Sequence, residues 1–308
     1  MISPLTSKNN TSLMDTFQSS DVISLYRQQL DIDVTPFFNG ISTFHLYRCN
    51  ETGYKFYHPY QLTGDGLFYE TLQTRLGNGY YHEWKFENQL AFDHLSAGDR
   101  VLDIGCGTGH FLMKAKSKTD SVYGLELNEN AIAECRQKGL IVFNELIEQH
   151  AANHAGEYDV VCMFQVLEHV YDVKAFFESA LKVLRKGGKM IIGVPDSDPY
   201  FLGYDKYCTL NLPPHHMGLW NQRVFNKLTA LYNLSVLKIE YDVKGRLLAH
   251  AYTRAKWMAG VKSLPGYHSF IDKIRIAVFA LITIPQTLFL KFSRGLHGSH
   301  MAVLFQKN

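Results

Sequence analysis

Between Val101 and Val194 the apolar residues of this chain follow two alternating rhythms. Five short runs, Val101–Ile104, Ser121–Leu125, Leu140–Phe143, Tyr158–Phe164 and Met190–Val194, have the length of buried strands. Segments of helical character lie between them. His110–Lys118 follows the first run, and Asn128–Lys138 is capped by Asn128 and ended by Gly139. Asp172–Leu184 places Val173, Phe176, Phe177, Ala180, Leu181 and Leu184 at helical spacing. Polar Glu145–Gly156 predicts a helical turn or two, and Lys186–Lys189 a turn. Such alternation predicts a parallel sheet covered on both faces, with ligands at the carboxyl ends of its strands. Further on, Gln222–Leu231 predicts a helix and Leu234–Val243 a sixth strand.

The first run leads into Gly105-Cys106-Gly107-Thr108-Gly109. Glycine at alternate positions lets a backbone turn tightly and approach a ligand closely. Asp103, a carboxylate inside an apolar strand, needs a partner. The Gly-x-Gly-x-Gly spacing differs from the dinucleotide fingerprint and disfavours an NAD oxidoreductase. Glu126 ends the second strand about 20 positions on, where a carboxylate can grip a ribose diol.

These residues resemble the first motif of the class I S-adenosylmethionine-dependent methyltransferases, an apolar-apolar-acid-apolar-Gly-x-Gly-x-Gly pattern matched from Val101 to Gly109. The resemblance implies a Rossmann-like, doubly wound, seven-stranded sheet, mostly parallel, whose last strand (His300–Gln306) is antiparallel. It implies S-adenosylmethionine as cofactor, held by Asp103, Gly105, Cys106, Gly107 and Gly109, with Glu126 and Leu127 at the ribose. The segment Gln165-Val-Leu-Glu-His169 resembles the fourth motif of ubiquinone- and sugar-type methyltransferases, which puts Phe164 and Gln165 at the methionine side. His169 then has two readings, a structural residue or a base, and the family pattern favours the first. A Tyr-Tyr…Trp-Glu segment ahead of the first strand resembles the family's cofactor-covering helix, read here over Tyr80–Leu95, with Tyr81 and Lys85 lining the methionine end. Ordinary packing is the equal alternative for Tyr81 and Trp84.

Upstream, residues 1–20 are rich in Ser, Thr and Asn, lack a signal-peptide core, and predict a disordered tail. Residues 21–95 form an N-terminal extension, with helices at Asp21–Leu30 and Gly64–Arg75. The aromatic run Phe44–Tyr60 predicts a β-hairpin around a Thr-Gly turn. Cys49, His45 and His58 are too few and wrongly spaced for a zinc site. The core covers 96–245 and 296–308.

Residues 246–295 are an insertion predicted to be helical. From Arg246 to Arg294 eight Lys and Arg face one acid, Asp272, a net of +7, although the whole chain of 308 residues carries only +2. Ile276–Leu290 is uncharged but, at fifteen residues with Pro285 inside, falls short of the roughly 20 needed for a bilayer span. A monotopic surface helix, a lid, a dimer contact and a helix pair packed on the sheet edge all fit. The basic excess suits a phosphorylated or lipid-linked acceptor. Five unpatterned cysteines suit reduced thiols and a cytoplasmic protein, with possible peripheral membrane contact; the oligomeric state is not legible.

The candidate chemistry beyond the donor lies in Leu212-Pro-Pro-His215-His216-Met-Gly-Leu-Trp220. Prolines stiffen this loop at the carboxyl end of the sheet, and histidine suits proton acceptance near neutrality. The pattern resembles small-molecule methyltransferases of polysaccharide and natural-product clusters. Either His215 or His216 can serve as base toward an acceptor hydroxyl, or one can brace the loop. A Cys208/His215/His216 metal site lacks a fourth ligand, so no metal is expected. Phe164–Leu167 lacks the Asn/Asp-Pro-Pro-Tyr of base-flipping enzymes, which speaks against nucleic acid. The expectation is O-methylation of a sugar, polysaccharide precursor or related metabolite; C- or N-methylation and a non-catalytic cofactor-binding module are the rivals.

Overall fold

The computed structural model describes residues 1–77, 84–198, 206–242 and 299–308. Its N-terminal part begins with strand β1 (Thr11–Gln18), helix α1 (Ser19–Leu30) and the hairpin β2 (Thr43–Cys49) and β3 (Lys55–His58). Helices α2 (Gly66–Leu76) and α3 (Phe86–Asp93) follow. The hairpin agrees with the aromatic pattern, but the disordered tail expected over 1–20 does not hold. β1 pairs antiparallel with β2 from Thr11↔Cys49 to Gln18↔Thr43. Only Phe17 of β1 is buried, while Leu13 and Met14 face solvent, so the strand carries little hydrophobic signal. Phe17, Phe44, Tyr57, Leu25 and Leu62 form a separate core beneath this sheet. Helix α3 is shorter than the expected Tyr80–Leu95. Lys85 is extended and donates its backbone N–H to Asn88 Oδ1 at 3.0 Å, capping a helix that starts at Phe86.

The core runs β4 (Val101–Ile104), α4 (His110–Ala115), β5 (Val122–Leu125), α5 (Glu129–Gln137), β6 (Ile141–Phe143) and α6 (Ile147–Asn153). It continues with β7 (Tyr158–Phe164), α7 (Val173–Val183) and β8 (Leu184–Pro195), then β9 (Gly218–Leu219), α8 (Gln222–Tyr232), β10 (Leu234–Tyr241) and β11 (His300–Lys307). Seven strands form one sheet in the order β10-β11-β8-β7-β4-β5-β6. β11 is antiparallel to both neighbours, and the pairs from β8 to β6 are parallel. Side chains alternate across a strand, and here they separate into two cores. Leu102, Ile104, Val161, Met163 and Ile192 pack with α7 and α8, while Val101, Val160, Cys162 and Ile191 pack with α3, α4 and α5. Lys186–Lys189 is no separate turn: β8 runs through it, with Gly187 at φ 74° and a register shift opposite Tyr158 and Val160.

The two-residue strand β9 joins the two sheets. Phe56 of β3 pairs with Gly218, and the Trp220 ring is fully buried beside Tyr54 and Phe225. The N-terminal sheet thereby clasps the histidine loop, which precedes β9. Among the described residues no helix is long and apolar enough to cross a membrane. The insertion 246–295 lies outside the described residues.

Gly109 sits at φ 79°, and a methyl there would overlap Leu140 and come within 2.9 Å of Cys135 Sγ. Gly98 has φ 86° with open space around it. Urea unfolding should find Gly109→Ala destabilised by about 2–4 kcal/mol, from strain plus overpacking. Gly98→Ala should lose only about 1–2 kcal/mol, from strain. Equal losses would contradict the packing role of Gly109.

Candidate active site

Three backbone features shape the glycine turn after β4. Gly105, Gly107 and Gly109 all have positive φ, at 71°, 52° and 79°. The N–H groups of Gly105 and Cys106 both donate to the Leu125 carbonyl, at 2.8 and 3.0 Å, which ties the turn to the end of β5. A side chain at Gly105 would meet Val166 Cγ2 at 2.6 Å, so the turn can lie against the segment after β7 only as glycine.

Glu126 crosses this turn. Its Oε2 accepts from Gly107 N–H at 2.8 Å, and its Oε1 accepts from Leu127 and Asn128 N–H at 2.8 and 2.9 Å. Asn128 caps α5 and donates to Glu70 of α2 at 3.1 Å, so the extension closes over this end. Burial and the nearby Glu126 carboxylate push the Asp103 carboxyl well above its ordinary range. Asp103 Oδ1 and Thr108 Oγ1 are buried without a hydrogen-bond partner. A rigid carboxylate, a close-approach turn and orphaned polar atoms fit a polar ligand with a diol and charged groups.

From the turn a cavity of about 780 Å³ extends along the carboxyl ends of the strands. Asp103, Gly105, Cys106, Gly107, Glu126 and Leu127 line it, together with Lys85, Phe164 and Gln165. His215 and His216 line it as well. Gly109 is not part of this wall; it packs behind the turn against Leu140 and Cys135. Tyr81 lies outside the described residues.

The Leu-Glu-His segment is the platform for the histidine loop. The Glu168 carbonyl accepts from Met217 and Gly218 N–H at 2.8 and 3.0 Å, and Trp220 Nε1 donates to the Leu167 carbonyl at 3.3 Å. From the other side Gly64 N–H donates to the Pro214 carbonyl at 3.0 Å. Tyr26 and Tyr69 hydroxyls donate to the Leu212 and His215 carbonyls, at 2.9 and 3.2 Å.

His169 joins His215 and His216, a grouping the sequence did not disclose because 46 residues separate the first two. The His215 and His216 rings stack at 4.3 Å, and His169 lies 4.8 and 5.1 Å from them, centroid to centroid. Each Nδ1 faces an oxygen: His169 the His215 carbonyl at 2.6 Å, His215 the Leu210 carbonyl at 2.8 Å, His216 the Asn211 Oδ1 at 3.2 Å. These acceptors assign the Nδ1–H tautomer and leave Nε2 as the basic nitrogen. Burial lowers His169 to about 4 and His215 to about 3, and holds His216 well below its ordinary value. All three are neutral at pH 7. One ring nitrogen of each lies within 4.8 Å of the others, a grouping a metal could use. The near-parallel His215 and His216 rings direct in-plane lone pairs side by side rather than at one point, which suits proton handling better than ligation.

Two carboxylates in the same cavity escaped the sequence reading. Glu87 of α3 and Glu168 are both buried, with Oε2 atoms lacking a partner. Burial raises both, Glu168 to about 8. In sequence they are ordinary acids of a helix and a loop; the signal would have been the adjacent Gly193, whose missing side chain makes room for Glu87.

Above about pH 7.5 the histidines are largely neutral in folded and unfolded chains alike. Glu168 holds a proton up to about 8 in the fold but only to 4.5 when unfolded, so the folded state binds more protons and stability falls as pH rises. The ligand-free chain should lose roughly 0.5–1 kcal/mol between about pH 7.5 and 9 in urea unfolding. Glu168→Gln should reduce that slope; an unchanged slope would refute the raised value.

Comparison with known proteins places this geometry. Residues 80–239, more than half of the chain, match the family model described as a methyltransferase domain. The ubiquinone biosynthesis O-methyltransferase of Cronobacter sakazakii is 35% identical over 97 residues, 30% of this chain and 40% of that protein. Its counterpart in Escherichia coli (strain K12 / DH10B) is 33% identical over the same shares. The chain thus spans about two fifths of the length of these relatives. A SAM-dependent methyltransferase from Archaeoglobus fulgidus has a similar structure, with TM-score 0.45, 18% identity, and coverage of 71% of this chain and 89% of that one. With its glycine turn, the Glu126 carboxylate across that turn and a family model spanning both, the chain belongs to the class I S-adenosylmethionine-dependent methyltransferases.

Proposed function

We propose that this protein transfers a methyl group from S-adenosylmethionine to a hydroxyl of a small-molecule acceptor, a saccharide or related metabolite, with His215 or His216 as base. One observation carries this reading: the cavity bounded by the glycine turn and Glu126 is continuous with the two buried imidazoles. The donor supplies an electrophilic methyl on a sulfonium. The chain aligns the two reactants and excludes water. The basic Nε2 of a histidine takes the hydroxyl proton as the new oxygen–carbon bond forms. Its lowered pKa keeps it unprotonated throughout the physiological range, so it is always available. The net charge of +7 over 246–294 supports an acceptor bearing phosphate, free or lipid-linked.

Calorimetry with S-adenosylhomocysteine should detect binding to the full chain, and Glu126→Ala should weaken it by about tenfold to a hundredfold. With an acceptor found by screening sugars, sugar nucleotides, lipid-linked saccharides and phenols, the variant lacking the base should lose about 10²–10⁴ in turnover. Its affinity for S-adenosylhomocysteine should stay within about twofold. Turnover equal to wild type in both His215→Ala and His216→Ala would overturn the base assignment. Flotation with anionic liposomes, with and without residues 250–295, tests the lipid-linked version; identical behaviour of the two chains would end it.

A further inference from the structure

The methyl-transfer reading leaves Glu87 and Glu168 without a task. Burying a carboxylate without a partner is costly, and burying two in one cavity more so, because each disfavours ionisation of the other. Both are nonetheless held in place. The Glu87 stem packs over Gly193 of β8, where a side chain would meet its Cγ at 2.8 Å. Gln165 Nε2 donates to Glu87 Oε1 at 3.1 Å, and the Gln165 N–H donates to the Gly193 carbonyl at 2.8 Å. That satisfies one oxygen of Glu87 and leaves Oε2 orphaned. Glu168, 2% exposed, has His169 Nε2 3.9 Å from its Oε1, beyond hydrogen-bond reach, and its Oε2 is also orphaned. Lys85 and His300 exert a favourable field on Glu87, and Lys85 on Glu168. Among the described residues neither carboxylate has Lys or Arg as an ion-pair partner.

Two buried carboxylates that line one cavity, each with an oxygen no protein group satisfies, call for a ligand that brings donors and positive charge. Their position indicates which ligand. Asp103 is the buried acid beneath the glycine turn, at the donor's end. Glu168 belongs to the segment whose carbonyl anchors Met217 and Gly218, at the histidine end. We propose that Glu87 and Glu168 form a subsite for a protonated amino group of the acceptor, which is therefore an amine-bearing small molecule such as an amino sugar. This rests on the methyl-transfer reading of the same cavity. The amine is an anchor and not the methylated atom, since a protonated nitrogen has no lone pair to attack with. The methylated hydroxyl is then presented to His215 and His216 at a fixed distance from the anchored nitrogen.

The test uses the full chain saturated with S-adenosylhomocysteine. Glucosamine, galactosamine and ethanolamine are each compared with glucose, galactose and ethylene glycol, in which a hydroxyl of similar size replaces the ammonium and the charge is lost. Thermal melting should rise with at least one amine more than with its hydroxyl counterpart, and Glu168→Gln and Glu87→Gln should abolish that difference. No preference for any amine, or a preference that survives both substitutions, overturns the proposal. A parallel titration measures S-adenosylhomocysteine itself. Its affinity should stay within about twofold in Glu168→Gln. A loss of about tenfold or more would assign the pair to the donor's own ammonium and overturn the acceptor subsite. Absence of any S-adenosylhomocysteine binding to the unsubstituted chain would instead remove the methyl-transfer reading beneath it.

Discussion

The carbonyl of Glu168 accepts two backbone hydrogen bonds, from Met217 and Gly218, and the rest of the site depends on them. They pin the loop of Pro213 to Trp220 to the end of β7, a strand of the nucleotide-binding sheet. The same two residues reach the N-terminal sheet: Gly218 pairs with Phe56, and the Met217 carbonyl accepts from Tyr57 N–H at 2.9 Å. One short backbone segment thus couples two sheets with separate cores. Neither sheet alone would hold His215 and His216 opposite the glycine turn.

Electrostatically the cavity is divided. At one end the Glu126 carboxylate is held by three backbone N–H groups, a rigid acceptor prepared before any ligand arrives. Elsewhere burial keeps imidazoles neutral and lifts carboxylates, so charge is suppressed in Glu87 and Glu168, and in Asp103 beneath the turn. A cationic donor entering such a place meets groups whose ionisation it favours, and the low dielectric strengthens each contact. Exclusion of water by the bound reactants suits methyl transfer, where water competes as a nucleophile.

Much of the sheet was legible in sequence because parallel strands buried on both faces leave continuous apolar runs, as at Val101–Ile104 and Tyr158–Phe164. The glycine turn and Glu126 were legible because close backbone approach demands glycine at fixed spacing. β1 was not, since Leu13 and Met14 are exposed and a bulge breaks the alternation. Neither was β9, whose two residues pair with a strand some 160 positions earlier. Residues 186–189 carry turn chemistry, yet the pairing of β8 with β7 and β11 absorbs them as an irregularity within one strand. The histidine cluster and the buried acids are non-local by nature: nothing near Glu87 in sequence announces Gly193, and nothing near His169 announces His215.

A structure determined with S-adenosylhomocysteine bound tests the central claim most directly. The account predicts ribose hydroxyls on the Glu126 carboxylate, the amino-acid portion along the turn toward Lys85, and the sulfur opening toward His215 and His216. A ligand whose ribose lies away from Glu126, or whose sulfur faces a wall without either histidine, would contradict it.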